Sequence, residues 1–420
     1  MKTQPSRATR TMEAQRLDCG VATLLRPNPA HEVVSVRLYA RGGASALSVG
    51  QAGSDALYAR SARRGTRRFP KAEFNAALAS VGTDLGAGVS EDATVFHLKC
   101  LRRHFEPSWK LFTDYILRPL LEPTEVELVR HQMLMQIRQR EDDADGRLAD
   151  LAREFVYAGH PYASHPEGTT ESVTALDVEN SRVHIQKQLR RANLLLVVAG
   201  RMDAETLHQA VSAAFASLPD AGEAAAPVPA LRFANARLQV EERALPTNYI
   251  FGQFAAPGMG DATYPATLLA MSVLRDRLFE EVRTKRNLSY APGAGLGNRV
   301  ANLGWIYVTA VDPVLTMRVM LDEMRKLRDV PLEPKELRDK VEVYVTRYHL
   351  QNETSQAQGR FLASYELFGG GWENSLDFVR RLESLTPDDV QRAARDVLHD
   401  IQYSYLGDPA SADTRVFVDP

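Results

Sequence analysis

One long helical pattern stands out in the second half of the chain. Apolar residues recur there at steps of three and four, which predicts an amphipathic helix with one face on a core. Pro265 suits the first turn of that helix, and Asn287 can adopt the left-handed conformation that ends one. A strand-like run follows, and we expect Tyr290 to lie just inside it. The positions of the apolar stripe are Leu268, Met271, Leu274, Leu278 and Val282.

Two polar side chains flank the predicted end of this helix. Arg283 falls off the apolar stripe, and Tyr290 follows the helix end by only a few residues. We therefore expect both side chains to project into the same space. Taken alone, such a pair is more often a surface cation and a strand aromatic than a functional site.

Strand-like and helix-like patterns alternate through the first half as well. Ser54 is placed to cap a short helix that ends before Gly65. The mixed order of strands and helices predicts an α+β fold (mixed α/β), with a sheet covered by helices. The segments Val21–Leu25 and Val33–Tyr39 are predicted as neighbouring strands, Phe69–Val81 as a second helix, and Leu85–Gly88 and Ala93–Leu101 as two further strands.

The order of these patterns is repeated along the chain. Leu121–Glu125 (LEPTE) is echoed by Leu332–Glu336 (LEPKE), an offset of 211 residues (332 − 121). Each half also ends with an apolar strand that reaches a glycine, in Leu194–Gly200 and in Tyr403–Gly407. A shared order at a nearly constant offset predicts two homologous domains.

The composition of one segment places the boundary between these domains. Pro219–Pro229 is rich in Ala, Pro and Gly and has the character of an exposed, semi-stiff linker. We predict an N-terminal domain over residues 1–222, a linker over 223–235 and a C-terminal domain over 236–420. Both predicted domains have an ordinary size for one core.

Charge and hydropathy exclude several classes of protein. The formal net charge of −2 gives no basic face for nucleic acid. No apolar run approaches the length of a membrane span, and the first residues have no secretory signal pattern. The default expectation is therefore the cytoplasm, with the periplasm as the alternative if a leader has been removed. Cys19 and Cys100 are expected to be buried, inert thiols.

The sequence also lacks the usual catalytic motifs. No two of its ten histidines are three or four residues apart, so no helix presents the paired imidazoles of a zinc peptidase. No Gly-x-Ser-x-Gly motif is present, and the glycines at 369–371 are not followed by the Lys-Ser or Lys-Thr of a phosphate loop. The residues alone therefore indicate no independent catalytic site.

A resemblance to a known family adds to this picture. The segment from Arg277 to Tyr290 reads Arg-Leu-Phe-x-x-x-Arg-x-x-x-x-Leu-x-Tyr. Together with the duplication, it resembles the pitrilysin/insulinase-type (M16) metallopeptidase family, in its short two-domain branch, over roughly Leu17 to Asp408. The resemblance implies two homologous domains, each a largely antiparallel sheet covered by helices. It also implies that two protomers close as a clam shell around an unfolded peptide.

Active members of that family carry His-x-x-Glu-His on the first helix, between a Gly and a Gly-Thr pair. These flanking residues match Gly53 and Gly65-Thr66 in this sequence. The motif positions between them are Ala56, Ala59 and Arg60. The third ligand position falls near Gln136. Two methyl groups and a guanidinium on one helical face cannot hold Zn²⁺ or polarise its water. We therefore expect this chain to bind no metal and to hydrolyse nothing by itself.

The resemblance assigns a role to the Arg–Tyr pair. In the family, Arg283 and Tyr290 match a pair that reaches the zinc site from the C-terminal half, grips the substrate backbone and stabilises charge on the attacked carbonyl. The hypothesis is a non-catalytic subunit that supplies this pair in trans to a homologous partner with an intact zinc motif and bound zinc. The alternative is a structural scaffold like the respiratory core proteins. Ala291 and Pro292 depart from the usual β-branched continuation and are expected to bend the strand.

Overall fold

The architecture contains two separate β-sheets, each joined by helices. A computed structural model describes residues 13–16, 20–220 and 227–418. The strands of the first half are β1 (Glu13–Arg16), β2 (Ala22–Pro27), β3 (Val33–Arg41), β4 (Asp84–Val89), β5 (Ala93–Leu101) and β6 (Leu194–Gly200). Those of the second half are β7 (Arg237–Glu242), β8 (Asn248–Ala255), β9 (Gly293–Leu296), β10 (Leu303–Ala310) and β11 (Gln402–Gly407).

The two sheets share one topology. The first has the strand order β1-β2-β6-β3-β5-β4 and the second β7-β11-β8-β10-β9. In the first sheet only β2 and β6 are paired in parallel, and in the second only β7 and β11. Apart from β1, the strands correspond one to one in chain order and in direction. The prediction of two homologous, largely antiparallel sheets covered by helices is confirmed.

The helices repeat in the same way. α1 follows the third strand of the first half, and α9 follows the matching strand β8. The paired LEPxE segments lie at equivalent helix starts, because Pro123 begins α4 and Pro334 begins α11. In the first half the helices are α1 (Ser54–Ala62), α2 (Lys71–Ser80), α3 (Phe105–Leu117), α4 (Pro123–Asp142), α5 (Ala144–Val156), α6 (Thr170–Ala175), α7 (Val178–Gln188) and α8 (Ala204–Phe215). In the second half they are α9 (Tyr264–Leu278), α10 (Pro313–Asp329), α11 (Pro334–Gln351), α12 (Ser355–Phe368), α13 (Phe378–Glu383), α14 (Pro387–Val397) and α15 (Thr414–Val418).

Each sheet is covered by its own apolar core. In the first core, Trp109 of α3 meets Phe215 of α8 edge to face at 6.0 Å between ring centroids. In the second core, the predicted stripe of α9 is buried from Met271 to Val282, while Leu268 at its start is partly exposed. The burial of this stripe fixes the rotation of α9 about its axis and so decides where its polar residues point.

Packing contacts divide the chain into two compact units, and neither is one continuous stretch. The first comprises the described residues of Met1–Arg138 and Pro161–Pro227 together with Gln351–Ala363. The second includes Gln139–His160, so α5 packs on β8 and β11. Each unit thus takes a segment from the opposite half of the sequence. Of the predicted linker at 223–235, residues 223–226 lie outside the described residues, and 227–235 form neither helix nor strand.

Two local predictions in the first half are wrong. β2 and β3 are not neighbours, because β6 lies between them and pairs with both. Every residue of β6 is buried, so a central place with partners on both edges suits it better than an edge. The N-cap of α1 is Gly53, at φ 87°, and the hydroxyl of Ser54 donates to the Gln51 carbonyl at 2.7 Å.

Within the described residues, no helix combines the length and the apolar character needed to cross a membrane.

Gly304 in β10 offers a test of the second core. A Cβ at this position would lie 2.1 Å from a ring carbon of Phe254, which is fully buried. We expect Gly304→Ala to lower the free energy of unfolding by about 1–3 kcal/mol, because the ring has no open space to enter. Urea unfolding measures the loss. Gly50→Ala is the matched control, since a Cβ there meets no atom within 4 Å. An equal effect of both substitutions would contradict this description of the core.

Candidate functional site

One candidate site lies at the end of α9. The helix continues into a π-helical turn over Phe279–Lys285. Asn287 then adopts the left-handed conformation with φ 51°, as predicted, and the Leu288 amide donates to the Val282 carbonyl at 2.9 Å. This tight ending reverses the chain, so the residues that follow pass back beside the last helical turn.

Tyr290 lies in the loop after this reversal, so its predicted place inside a strand is wrong. The strand β9 begins only at Gly293. Pro292 precedes it, and a proline cannot donate a backbone hydrogen bond to a neighbouring strand. The side chain of Tyr290 is 78% exposed, which leaves its hydroxyl open to solvent.

The structure brings Arg283 and Tyr290 together. The guanidinium carbon of Arg283 lies 3.9 Å from the centroid of the Tyr290 ring. It also lies 4.8 Å from the centroid of the Phe279 ring. A guanidinium over two aromatic rings is held by cation–π attraction while the N–H groups at its edge can still donate. Phe279 stands four residues before Arg283, on the same side of the turn, and the sequence interpretation overlooked it.

Arg283 differs from the other cations near this helix end. Arg277 pairs with Glu336 at 3.1 Å, and Lys285 pairs with Glu281 at 2.7 Å. Arg286 also pairs with Glu281, and these two cations hold the pKa of that carboxyl at about 2. Among the described residues, no carboxylate lies within ion-pair distance of Arg283. The N–H groups of the Arg283 guanidinium are therefore available to a ligand.

This arrangement provides a pair of hydrogen-bond donors on an open surface. The guanidinium edge of Arg283 presents N–H groups, and the phenol of Tyr290 presents an O–H group. Donors fixed in this way can hold a peptide carbonyl and stabilise negative charge that develops on its oxygen. The stack on Phe279 restricts the rotation of the Arg283 side chain, so less conformational entropy is lost when a ligand binds.

A separate group of candidate residues lies on α1, where the sequence places the degenerate metal motif. Ala56 and Ala59 are buried, with 1% and 4% of their surface exposed. Arg60 donates to the Gln136 side-chain oxygen at 2.9 Å and to Glu167 at 2.5 Å. The structure therefore brings Arg60 and Gln136 together, as expected for two positions of one motif. No pattern in the sequence pointed to Glu167, which lies in the loop before α6.

These residues do not fit a zinc ion. The methyl groups of Ala56 and Ala59 carry no lone pair, and the guanidinium of Arg60 donates hydrogen bonds but accepts none. The oxygens of Gln136 and Glu167 are both engaged by Arg60. Among the residues that the structure describes, no three His, Cys, Asp or Glu side chains gather as a metal site. An ion pair and an apolar packing surface occupy the place of the motif.

Cys100 is buried in the first core, as predicted. Burial raises the pKa of its thiol to about 11, so it remains protonated and unreactive near neutral pH. Cys19 lies outside the described residues.

Comparisons with known proteins agree with this architecture. Residues 22–170 match the family model described as "Insulinase (Peptidase family M16)", and residues 175–344 match "Peptidase M16 inactive domain". An uncharacterized zinc protease of Streptomyces coelicolor is 26% identical over 80% of this chain and 76% of its own length. The β subunit of the mitochondrial processing peptidase of Saccharomyces cerevisiae is 21% identical over 55% of this chain and 50% of its own.

A solved structure extends the similarity to the whole fold. The crystal structure of a peptidase M16 inactive domain from Pseudomonas fluorescens superposes with a TM-score of 0.84. The superposition covers 94% of this chain and 98% of that one, at 19% sequence identity. The two proteins therefore share the fold over most of their length.

Proposed function

The chain belongs to the insulinase-type M16 peptidase family, and we propose that it is a non-hydrolytic subunit that completes the active site of a homologous, zinc-bearing partner. In this proposal it binds unfolded peptide and contributes Arg283 and Tyr290 in trans. The observation that carries the proposal is the contrast between two separate groups of residues, one in each compact unit. The metal motif has been replaced by an ion pair, whereas the Arg–Tyr pair is assembled and open.

The replaced motif supports the absence of independent hydrolysis. A zinc peptidase needs ligands that hold the ion and a base that activates its water. On α1 those roles would fall to two methyl groups and to Arg60, whose positive charge opposes a cation. Ala56 also belongs to an apolar cluster with Met133 and Ile137.

The Arg–Tyr pair supports the contribution in trans. Its neighbours Arg277 and Arg286 are paired with carboxylates. Arg283 instead lies over two aromatic rings and keeps its donors available. Tyr290 offers its hydroxyl on the same surface. Both groups would hold the carbonyl of a bound peptide while the partner supplies the metal and its water.

The relatives are consistent with a partner of the same family. One protein similar to this chain is named as a subunit of the mitochondrial processing peptidase. The partner proposed here is a homologous chain that carries His-x-x-Glu-His where this chain has Ala56, Ala59 and Arg60. We propose a peptide or an unfolded protein as the substrate, because the donors of Arg283 and Tyr290 suit backbone carbonyls.

A reconstitution experiment tests the proposal. This chain is mixed with a purified homologue that has the intact motif, and the cleavage of an unfolded peptide is followed with and without a chelator. We expect no cleavage by this chain alone, and chelator-sensitive cleavage by the mixture that exceeds that of the homologue alone. The metal content of each chain is measured in parallel, and zinc is expected only in the homologue. Chelator-sensitive cleavage by this chain alone would contradict the proposal, as would a mixture no faster than the homologue. The second result would favour a scaffold.

A further inference from the structure

A pocket of about 460 Å³ opens beside the degenerate motif in the first unit. It lies at the C-terminal end of α1, next to the start of α2 and the edge strand β4. Its lining includes Arg60, Arg63, Arg64 and Lys71, and no carboxylate is among the residues that line it. A pocket of this size is in the range that accommodates small ligands or one to two amino-acid side chains.

The local sequence explains why these cations gather. Arg60, Arg63 and Arg64 stand at positions i, i+3 and i+4 along and just beyond α1, so they project to one side. The last carbonyls of a helix carry partial negative charge, which favours cations at this end. Lys71, the first residue of α2, brings a fourth positive charge to the same space.

The charges in the pocket are only partly balanced. Glu167 pairs with Arg60, and Glu125 pairs with Lys71 at 2.7 Å and lies 3.9 Å from Arg64. Asp84, at the start of β4, also acts electrostatically on Arg63 from beyond ion-pair distance. Four cations therefore face three carboxylates, which leaves an excess of one positive charge (4 − 3). In this concave space the excess attracts anions more strongly than the same charges would on a flat, solvated surface.

Arg63 carries most of this excess. Its guanidinium donates to the Asn75 side-chain oxygen at 2.9 Å and lies over the Phe74 ring at 5.5 Å. Within the described parts of the chain, no carboxylate comes within ion-pair distance of it. Partial burial lowers the pKa of the guanidinium, because its positive charge has lost part of its hydration. A bound anion would restore that lost stabilisation.

We propose that this pocket binds a carboxylate of an acidic peptide, which names the preferred substrate class of the proposed subunit and rests on its proposed peptide binding. The two oxygens of a carboxylate match the parallel N–H groups of a guanidinium. The side-chain amides of Asn75 and Gln132 also line the pocket and can complete the hydrogen bonding. A carboxylate, rather than a phosphate, is the anion that an unmodified peptide carries, so the proposed peptide binding commits the pocket to a carboxylate.

A pair of peptides tests the assignment with the intact chain. The two fluorescent, unstructured peptides are identical except that every Glu in one is Gln in the other. Equilibrium binding is measured by anisotropy at low ionic strength, where charge interactions are least screened. We expect the Glu peptide to bind about tenfold more tightly, which corresponds to about 1.4 kcal/mol, because its carboxylate accepts charge-assisted hydrogen bonds that the Gln amide cannot. Equal binding of the two peptides, or binding of neither, would overturn the assignment.

Variants locate the preference in the pocket. Arg63→Gln is expected to remove most of the difference between the two peptides. Lys110→Gln is the control, because Lys110 is an exposed cation of the same unit that pairs with Glu106 and lies outside the pocket lining. A preference that survives Arg63→Gln in a folded protein, or that falls equally in the control, would place the recognition elsewhere. The wild-type comparison remains decisive if the Arg63 variant does not fold.

A competition arm distinguishes a carboxylate from phosphate. Inorganic phosphate is added at an ionic strength matched with chloride. We expect it to compete with the Glu peptide no better than acetate does, and stronger competition would assign the pocket to phosphate instead. Cleavage of the Gln peptide by the two-chain mixture is recorded separately. If the mixture cleaves peptide but the Glu peptide binds no more tightly than the Gln peptide, only the pocket assignment is wrong. If the Glu peptide binds more tightly but cleavage does not depend on the partner, only the proposed function is wrong.

Discussion

Replacing Tyr290 by Phe is expected to slow peptide cleavage by the two-chain mixture about 10²–10³-fold. That magnitude is typical for the loss of one donor to the oxyanion of an acyl-transfer reaction. The substitution keeps the aromatic ring, so the stack against Arg283 at 3.9 Å persists and only the hydroxyl is removed. The loss should appear in kcat more than in KM, because the hydroxyl acts on charge that develops during the reaction. Turnover of an unfolded peptide at saturating concentration measures it.

The control for this prediction is a binding assay of the same variant. Peptide binding by Tyr290→Phe, measured by anisotropy, should remain close to that of the wild type. If turnover remained at the wild-type level while the protein was folded and bound its partner, Tyr290 would have no part in the reaction. If binding fell as far as turnover, the hydroxyl would serve in substrate binding rather than in the transition state.

Replacing Arg283 by Ala should reduce kcat/KM of the mixture by about 30- to 100-fold. A hydrogen bond from a charged donor contributes about 1.5–3 kcal/mol, and the substitution removes both the charge and the donors. It also removes the cation that contacts the rings of Phe279 and Tyr290, so Tyr290 loses the group that orients it. Arg283→Lys should recover only part of the activity, because an ammonium cannot stack on a ring and donate from a planar edge.

Arg286→Ala is the matched control for Arg283. Arg286 lies three residues further along the same helix end and is paired with Glu281. Its loss removes the same formal charge from the same surface, and we expect turnover to change less than twofold. An equal loss from both variants would indicate that the mixture responds to surface charge in general. The assignment of a specific role to Arg283 would then be wrong.

The sequence predicted the repeat, and with it most of the fold, because periodicity and repeated order report directly on burial. The stripe from Met271 to Val282 is buried, and Asn287 ends the helix in the left-handed conformation. The paired segments that start at Pro123 and Pro334 begin equivalent helices. These features depend on neighbouring residues in the chain, so they can be recognised from one sequence.

Features that depend on distant residues could not be predicted in the same way. The insertion of β6 between β2 and β3 pairs residues more than 150 positions apart, and no local pattern encodes it. The contact of Arg60 with Glu167 spans 107 residues, and no local pattern indicated that an ion pair would occupy this position. The ring of Phe279 was the exception, because its position four residues before Arg283 could have indicated the contact from the sequence.

Residues that replace a lost metal-binding motif can become part of the hydrophobic core. Ala56 is now part of an apolar cluster with residues of α4, and Ala59 belongs to the core of the first sheet. Arg60 is the only polar group of the three, and it is tied to Gln136 and Glu167. Restoring a metal site would therefore require replacing buried methyl groups with larger polar side chains, at the cost of overpacking.

The central claim is that this chain completes a reaction whose metal is held by its partner. Turnover of an unfolded peptide by the two-chain mixture, with Arg283→Ala and Tyr290→Phe combined in this chain, tests it most directly. Because the two side chains act as one unit, we expect the double variant to lose about as much activity as the more severe single variant, roughly 10²–10³-fold. Wild-type turnover by a folded double variant that still assembles with its partner would contradict the claim.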